Sequence, residues 1–160
     1  NGDDELLNRQ GLTTVVNGNC GLSVAPAGEK FGKEIARFLS SVTGDFRWGK
    51  DENTDDTEGV LSSKKKEESC GISEKEIEID ALRIMSTMSV YMSALGKEKR
   101  SVNTGMLAGN GTIRASVKGY ASGKLSKEEL HQVWKAVEEA LSAGALGISL
   151  GIAYAPEFDV

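Results

Sequence analysis

Three short apolar runs, each opening into glycine, restrict the fold of this chain more than any other feature. LTTVVNGNC (Leu12 to Cys20), VNTGMLAG (Val102 to Gly109) and ALGISLG (Ala145 to Gly151) are strand candidates apolar on both faces, the mark of strands covered on two sides. Helical patterns separate them. Phe31, Ile35, Phe38, Leu39 and Val42 recur at helical spacing, which predicts an amphipathic helix over 29–43 ended by Gly44. Ahead of the first strand, DELLNRQG reads as the last turns of a helix stopped by Gly11. Ser73 and Glu76 form a capping box for one helix carrying Ile77, Ala81, Ile84, Met85, Met88, Met92 and Leu95 on one face and ended by Gly96. Its methionines sit at core-packing spacing, which outweighs a soft-metal stripe. Ser126 and Glu129 form a second box, with Leu125 and Leu130 as a hydrophobic staple, an apolar stripe of Leu130, Val133, Trp134, Val137 and Leu141, and Gly144 as the stop.

Apolar strands separated by helices pair in parallel through right-handed crossovers, as in an open doubly wound sheet or a (β/α)8 barrel. A closed barrel takes about 250 residues. Small residues inside the strands favour the barrel, and on that reading the 160 residues are an α/β segment of three to four barrel units within one domain, with exposed edges that offer a route to self-association. Asn1 in place of an initiator Met points the same way, to a piece of something larger.

Composition narrows the function. There are 24 acidic and 19 basic side chains, net charge -5, and so no basic face for nucleic acid. No apolar run approaches the roughly 20 residues of a membrane span, and Asn1-Gly2-Asp3-Asp4 is no signal peptide. Two cysteines without secretory features predict reduced thiols in a cytoplasmic setting. Between Gly49 and Cys70 the apolar residues are Val60, Leu61 and Cys70, and charge comes in blocks. A polar insertion at 49–72 that forms a mobile surface loop is expected, since it cannot bury enough surface to offset ordering entropy.

Parallel architectures gather functional groups beyond the carboxyl ends of their strands. That selects Asn17, Asn19 and Cys20, then Asn110 and Arg114, then Ser149 and Tyr154. Cys20 suits three roles: metal ligand, nucleophile or packed core thiol. A cysteine nucleophile needs a base, and His131 lies between Lys127 and Lys135 on what should be a solvated helix face, so that role is set aside. GNCG, GNGT and GISLG match neither phosphate-binding glycine pattern.

GLTTVVNGNCGLSVAP (Gly11 to Pro26) resembles the second-strand signature of the N-acyl-D-amino-acid deacylases, a branch of the amidohydrolase superfamily. LAGNGTIRASVKG (Leu107 to Gly119) is similar to that family's next strand and loop. EEALSAGALGISLGIAYAP (Glu138 to Pro156) resembles the following helix, strand and tyrosine–proline turn. The resemblance implies a (β/α)8 barrel that uses zinc to hydrolyse the amide of a small N-acyl-D-amino acid. It implies that Cys20 is a metal ligand and that Tyr154 helps hold the substrate carboxylate; Asn110 and Arg114, selected by their place after the second strand, are expected as further substrate contacts. The departures are equally specific. The chain has no HxH, Asn110 stands where many members have histidine, and Leu150 stands where threonine is frequent. One ligand cannot hold a catalytic zinc, so the segment alone should be inert and should contain no catalytic residue of its own. Two alternatives stay open: a dihydroorotase- or hydantoinase-like amidohydrolase, and a non-catalytic structural or interaction module.

Overall fold

The computed structural model of the protein describes residues 2–43, 81–97, 100–153 and 155–157. The chain runs α1 (Gly2–Arg9), β1 (Thr14–Asn17), α2 (Gly32–Thr43), α3 (Met88–Leu95), β2 (Asn103–Met106), β3 (Ala108–Gly109), α4 (Asn110–Lys118), α5 (Lys127–Ser142) and β4 (Ile148–Ser149). The predicted polar insertion and the Ser73–Glu76 capping box lie outside the described residues.

Among the described residues all strand pairing is parallel. β1 pairs with β2 from Thr14↔Asn103 to Asn17↔Met106, and β3 pairs with β4 through Ala108↔Ile148 and Gly109↔Ser149. Leu107 is the hinge between the two ladders. Its N–H donates to Asn17 at 2.8 Å, while the neighbouring Ala108 N–H donates to Gly147 at 3.0 Å. The run predicted as one strand over 102–109 therefore occupies the centre and switches partner at Leu107, with β1 on one side and β4 on the other.

Two apolar clusters hold the helices on these strands. Met88, Met106, Ala108, Ile113, Val133 and Ala140 form one, between β2, β3 and helices α3, α4 and α5. Ile35, Ala36, Leu39, Met85, Ala115 and Ala27 form the other, under α2. Met85 and Met88 are each 2 % exposed or less and Met92 packs partly buried against the first cluster, so the methionines of this face are core, as their spacing implies. Among the described residues no helix is long and apolar enough to cross a membrane.

α5 follows its sequence signals. The Ser126 hydroxyl accepts from Glu129 N–H at 3.1 Å and the Glu129 carboxylate accepts from Ser126 N–H at 2.7 Å. Such a cap stabilises a helix by about 1 kcal/mol. The apolar stripe is only half used: Val133 is buried, whereas Leu130, Trp134 and Leu141 are 48 %, 61 % and 46 % exposed. With Leu130 half in solvent, the expected staple is weak.

Three expectations need correction. The single helix predicted across Met85 and Met88 is broken: residues 81–85 are helical, Ser86 bends, and Thr87 caps a new helix by accepting from Val90 N–H at 3.2 Å. Glu139 of α5 enforces the break. Its carboxylate accepts from Met88 N–H at 3.1 Å and from Ser89 N–H at 2.8 Å, placing negative charge at the positive end of α3. Secondly, residues 110–118 form a helix where the sequence predicts a loop. Thirdly, β1 is mostly exposed, with Val16 at 43 %, because among the described residues only β2 pairs with it.

Tyr120 packs its ring on Phe38 at 4.8 Å between centroids. Burial pushes its phenol well above the ordinary range, and the Glu34 carboxylate adds to the shift. The folded phenol is thus a weaker acid than the unfolded one. The stability this gives is complete below the unfolded value of about 10 and is lost as pH rises through the folded value. Ultraviolet titration of tyrosinate should show a component that ionises only as the protein unfolds in alkali, and that shrinks in Tyr120→Phe to the part left by Tyr91, whose phenol is also pushed up by burial. A wild-type chain whose tyrosines all titrate near the ordinary value would refute this.

Candidate functional site

The carboxyl ends of β1, β3 and β4 meet through backbone contacts. β1 ends at Asn17, and the chain turns through Gly18, Asn19, Cys20 and Gly21, closed by Leu22 N–H donating to Asn19 at 3.1 Å. The Asn19 side chain donates back to Val16 at 2.9 Å. Within this turn Cys20 has φ +57°, a left-handed conformation that non-glycine residues seldom adopt. Its residue is exposed. The turn then docks on the first turn of α4, where Thr112 N–H donates to the Gly21 carbonyl at 3.1 Å.

A buried polar knot secures that docking. Ser23 N–H donates to the Thr112 hydroxyl at 2.9 Å, which itself donates to the Ser23 carbonyl at 2.9 Å. Gly109 N–H donates to the Ser23 hydroxyl at 2.8 Å. Ser23 and Thr112 are 3 % and 2 % exposed, and these bonds satisfy groups that would otherwise be buried without partners.

β4 contributes Ser149. Its hydroxyl accepts from Gly21 N–H at 2.9 Å and donates to the Gly18 carbonyl. Just beyond, Glu157 is 5 % exposed and one carboxylate oxygen accepts from Gly151 N–H at 2.9 Å. The other oxygen lies where a side chain on Gly21 would begin, so no larger residue fits at position 21.

The predicted site residues fare differently. Cys20 stands beyond a strand's carboxyl end, and Asn110, partly exposed, begins α4 directly after β3, so both follow the carboxyl ends of strands. Tyr154 lies outside the described residues. Arg114, expected among the substrate contacts, is instead 3 % exposed. Its Nε donates to the Pro156 carbonyl at 2.8 Å and its Nη2 to the Gly123 carbonyl, which makes it a tether between two loops. His131 is exposed, in keeping with its exclusion as a base. The cavity of about 260 Å³ lined by Met92, Leu95, Gly96, Arg100, Val102 and Thr104 lies toward the amino end of β2, away from these residues. Glu157 and Glu139 carry no signal in the sequence: each is one acid among 24, and only the fold reveals what it touches.

Among the described residues no three His, Cys, Asp or Glu side chains gather as a metal-binding group. Cys20 fits a metal as one donor: it is exposed, at a strand end, and a thiolate is a good zinc ligand.

Parallel strands joined through helices, with a thiol and an amide side chain beyond their carboxyl ends, define a segment of a (β/α)8-type barrel. No protein-family model matches the chain. It is 26% identical over 147 residues to a D-aminoacylase of Alcaligenes xylosoxydans xylosoxydans, covering 92% of this chain and 22% of that protein. It is also 26% identical over 152 residues to an N-acyl-D-glutamate deacylase of the same organism, covering 95% of this chain and 23% of that protein. A solved D-aminoacylase with a binuclear metal centre aligns with 98% of the chain at a TM-score of 0.58 and 25% identity, over 27% of its own length. The N-acyl-D-glutamate deacylase of Bordetella bronchiseptica, solved with zinc and a phosphonate inhibitor, aligns with 99% of it at 0.58 and 23%, over 25% of its length. The chain thus resembles a segment of the N-acyl-D-amino-acid deacylases, and spans less than a quarter of the curated relatives it matches.

Proposed function

We propose that this segment supplies part of the active-site rim of a zinc-dependent amidohydrolase that cleaves the amide of N-acyl-D-amino acids. The observation that carries the reading is the exposed Cys20, held in a left-handed turn at the carboxyl end of β1 and docked against the start of α4. D-aminoacylase and N-acyl-D-glutamate deacylase, the relatives named above, support the substrate class. Cys20 is one zinc ligand, Asn110 and Tyr154 are contacts for the N-acyl amino acid, and Arg114 braces the loops behind them. Bound zinc supplies Lewis-acid polarisation of the amide carbonyl. In this chain Cys20 would hold the metal as one donor, and its neighbours would form the adjoining rim. The domain reading, a barrel segment with a polar insertion at 49–72, belongs to the same proposal.

The test compares the 160-residue chain with a longer polypeptide that contains it, each with zinc, on N-acyl-D- and N-acyl-L-amino acids. Release of D-amino acid by the longer polypeptide and none by the 160 residues is expected, because three protein ligands are the usual minimum for a catalytic zinc. A longer polypeptide that binds zinc yet hydrolyses neither series would favour a non-catalytic module. Preference for cyclic amides would favour the hydantoinase-like alternative.

A further inference from the structure

We infer that Ser149 is a positioning residue for Cys20, an assignment that rests on the metal-ligand reading of Cys20. A cysteine at φ +57° sits in a region of backbone space that its surroundings must impose. Glycine at positions 18 and 21 permits such a turn but does not enforce it. Enforcement comes from across the sheet. The Ser149 hydroxyl donates to the carbonyl of Gly18 and accepts from the N–H of Gly21, so one oxygen grips the chain two residues before Cys20 and one residue after it. Only a hydroxyl can donate and accept through a single small atom in this way.

Ser149 is itself fixed. It is paired in the β3–β4 ladder opposite Gly109, and Gly109 N–H is bonded to Ser23, just beyond the turn. On the far side Glu157 accepts from Gly151 N–H and presses its second oxygen against Gly21. The turn is therefore held from β4 by both hydrogen bonds of Ser149, with Glu157 filling the space beside Gly21, and the thiol's direction is set by a strand remote in sequence. Groups that orient a metal ligand without touching the metal commonly contribute 10- to 100-fold in metal affinity.

The test uses a longer polypeptide that carries this segment, loaded with cobalt(II), whose bond to a thiolate gives a charge-transfer absorption band. Affinity is read by competition with a chelator. Wild type should show the band, and Cys20→Ala should lose it. Ser149→Ala should bind cobalt about 10-fold more weakly or worse, while Ser149→Thr, which keeps the hydroxyl, should retain wild-type affinity. A generic loss of stability would not be rescued by threonine in the metal titration. Wild-type cobalt affinity in a folded Ser149→Ala protein overturns the positioning role and leaves the ligand reading standing. Absence of the band in wild type, with unchanged affinity in Cys20→Ala, overturns the ligand reading and the inference with it. Should Ser149→Ala fail to fold, amide exchange of wild type decides. The inference requires Gly21 N–H to be protected like the β3–β4 ladder, and rapid exchange there overturns it.

Discussion

Alanine at Cys20 should lower deacylase kcat/KM by about 100-fold or more in a longer polypeptide carrying this segment, equivalent to about 2.7 kcal/mol of transition-state stabilisation. The expectation follows from where the thiol stands: exposed, at the carboxyl end of β1, beside the start of α4. Removing one ligand from a site that usually has three protein donors weakens metal binding and loosens the geometry around the acyl carbonyl. Tyr154→Phe should behave differently. A lost contact to the substrate carboxylate weakens binding in the ground and transition states alike, so KM rises and kcat is spared. Zinc content measured beside activity separates the two variants: Cys20→Ala should lose both, Tyr154→Phe only affinity for substrate. Full activity and full zinc content in Cys20→Ala would remove the metal role, and with it the main support for the proposed function.

Gly109→Ala should be among the most damaging conservative changes in the chain, costing about 3 kcal/mol by analogy with overpacked cores. A methyl group there would lie 2.4 Å from the Gly21 carbonyl oxygen, 2.5 Å from its carbon and 2.7 Å from Leu22 N. All three are backbone atoms of the docked turn, so no rotamer change relieves the clash. Either the turn lifts off α4 or β3 shifts, and both break the Gly109–Ser23 and Thr112–Gly21 hydrogen bonds. Gly123→Ala is the control. Its φ is +98° but nothing lies within 4 Å, so only backbone strain of about 1–2 kcal/mol applies. Urea midpoints should rank Gly109→Ala well below Gly123→Ala, and equal midpoints would mean that the turn is not seated on α4 as described.

Much of the architecture could be read from the residues. α5 was legible because Ser126, Glu129 and Gly144 mark its two ends independently of its packing. The parallel strands were legible because apolar runs that end in glycine are hard to place elsewhere. α4 was not. Its sequence NGTIRASVK carries two branched apolar residues four apart, too short a pattern to separate from a loop. It forms a helix because Gly111, Thr112 and Ala115 are small enough to let it lie close on neighbouring backbone, which is a property of the partners. The break at Ser86 was hidden for a similar reason. The apolar face runs on through Met85 and Met88, and the carboxylate that opens a new helix there comes from Glu139. Within the candidate site, the strand-end rule anticipated the positions of Cys20 and Asn110 beyond β1 and β3 because it depends only on chain order. It misread Arg114, since whether a guanidinium faces solvent or two buried carbonyls is decided by tertiary contacts.

The grip of Ser149 on the Gly18–Gly21 turn also bears on when the thiol acquires its native setting during synthesis. The two hydrogen bonds span 131 and 128 residues of sequence. Closing so long a stretch of chain carries a large entropic cost, and parallel pairing at high contact order is slow. A nascent chain that has released β1 from the ribosome has no β4 to fix the turn until the rest of the segment has been made. For that interval Cys20 is an ordinary cysteine on an unconstrained turn, open to adventitious oxidants and to whatever metal is at hand. If Cys20 is the proposed ligand, its setting for metal is therefore completed only once β4 has been made.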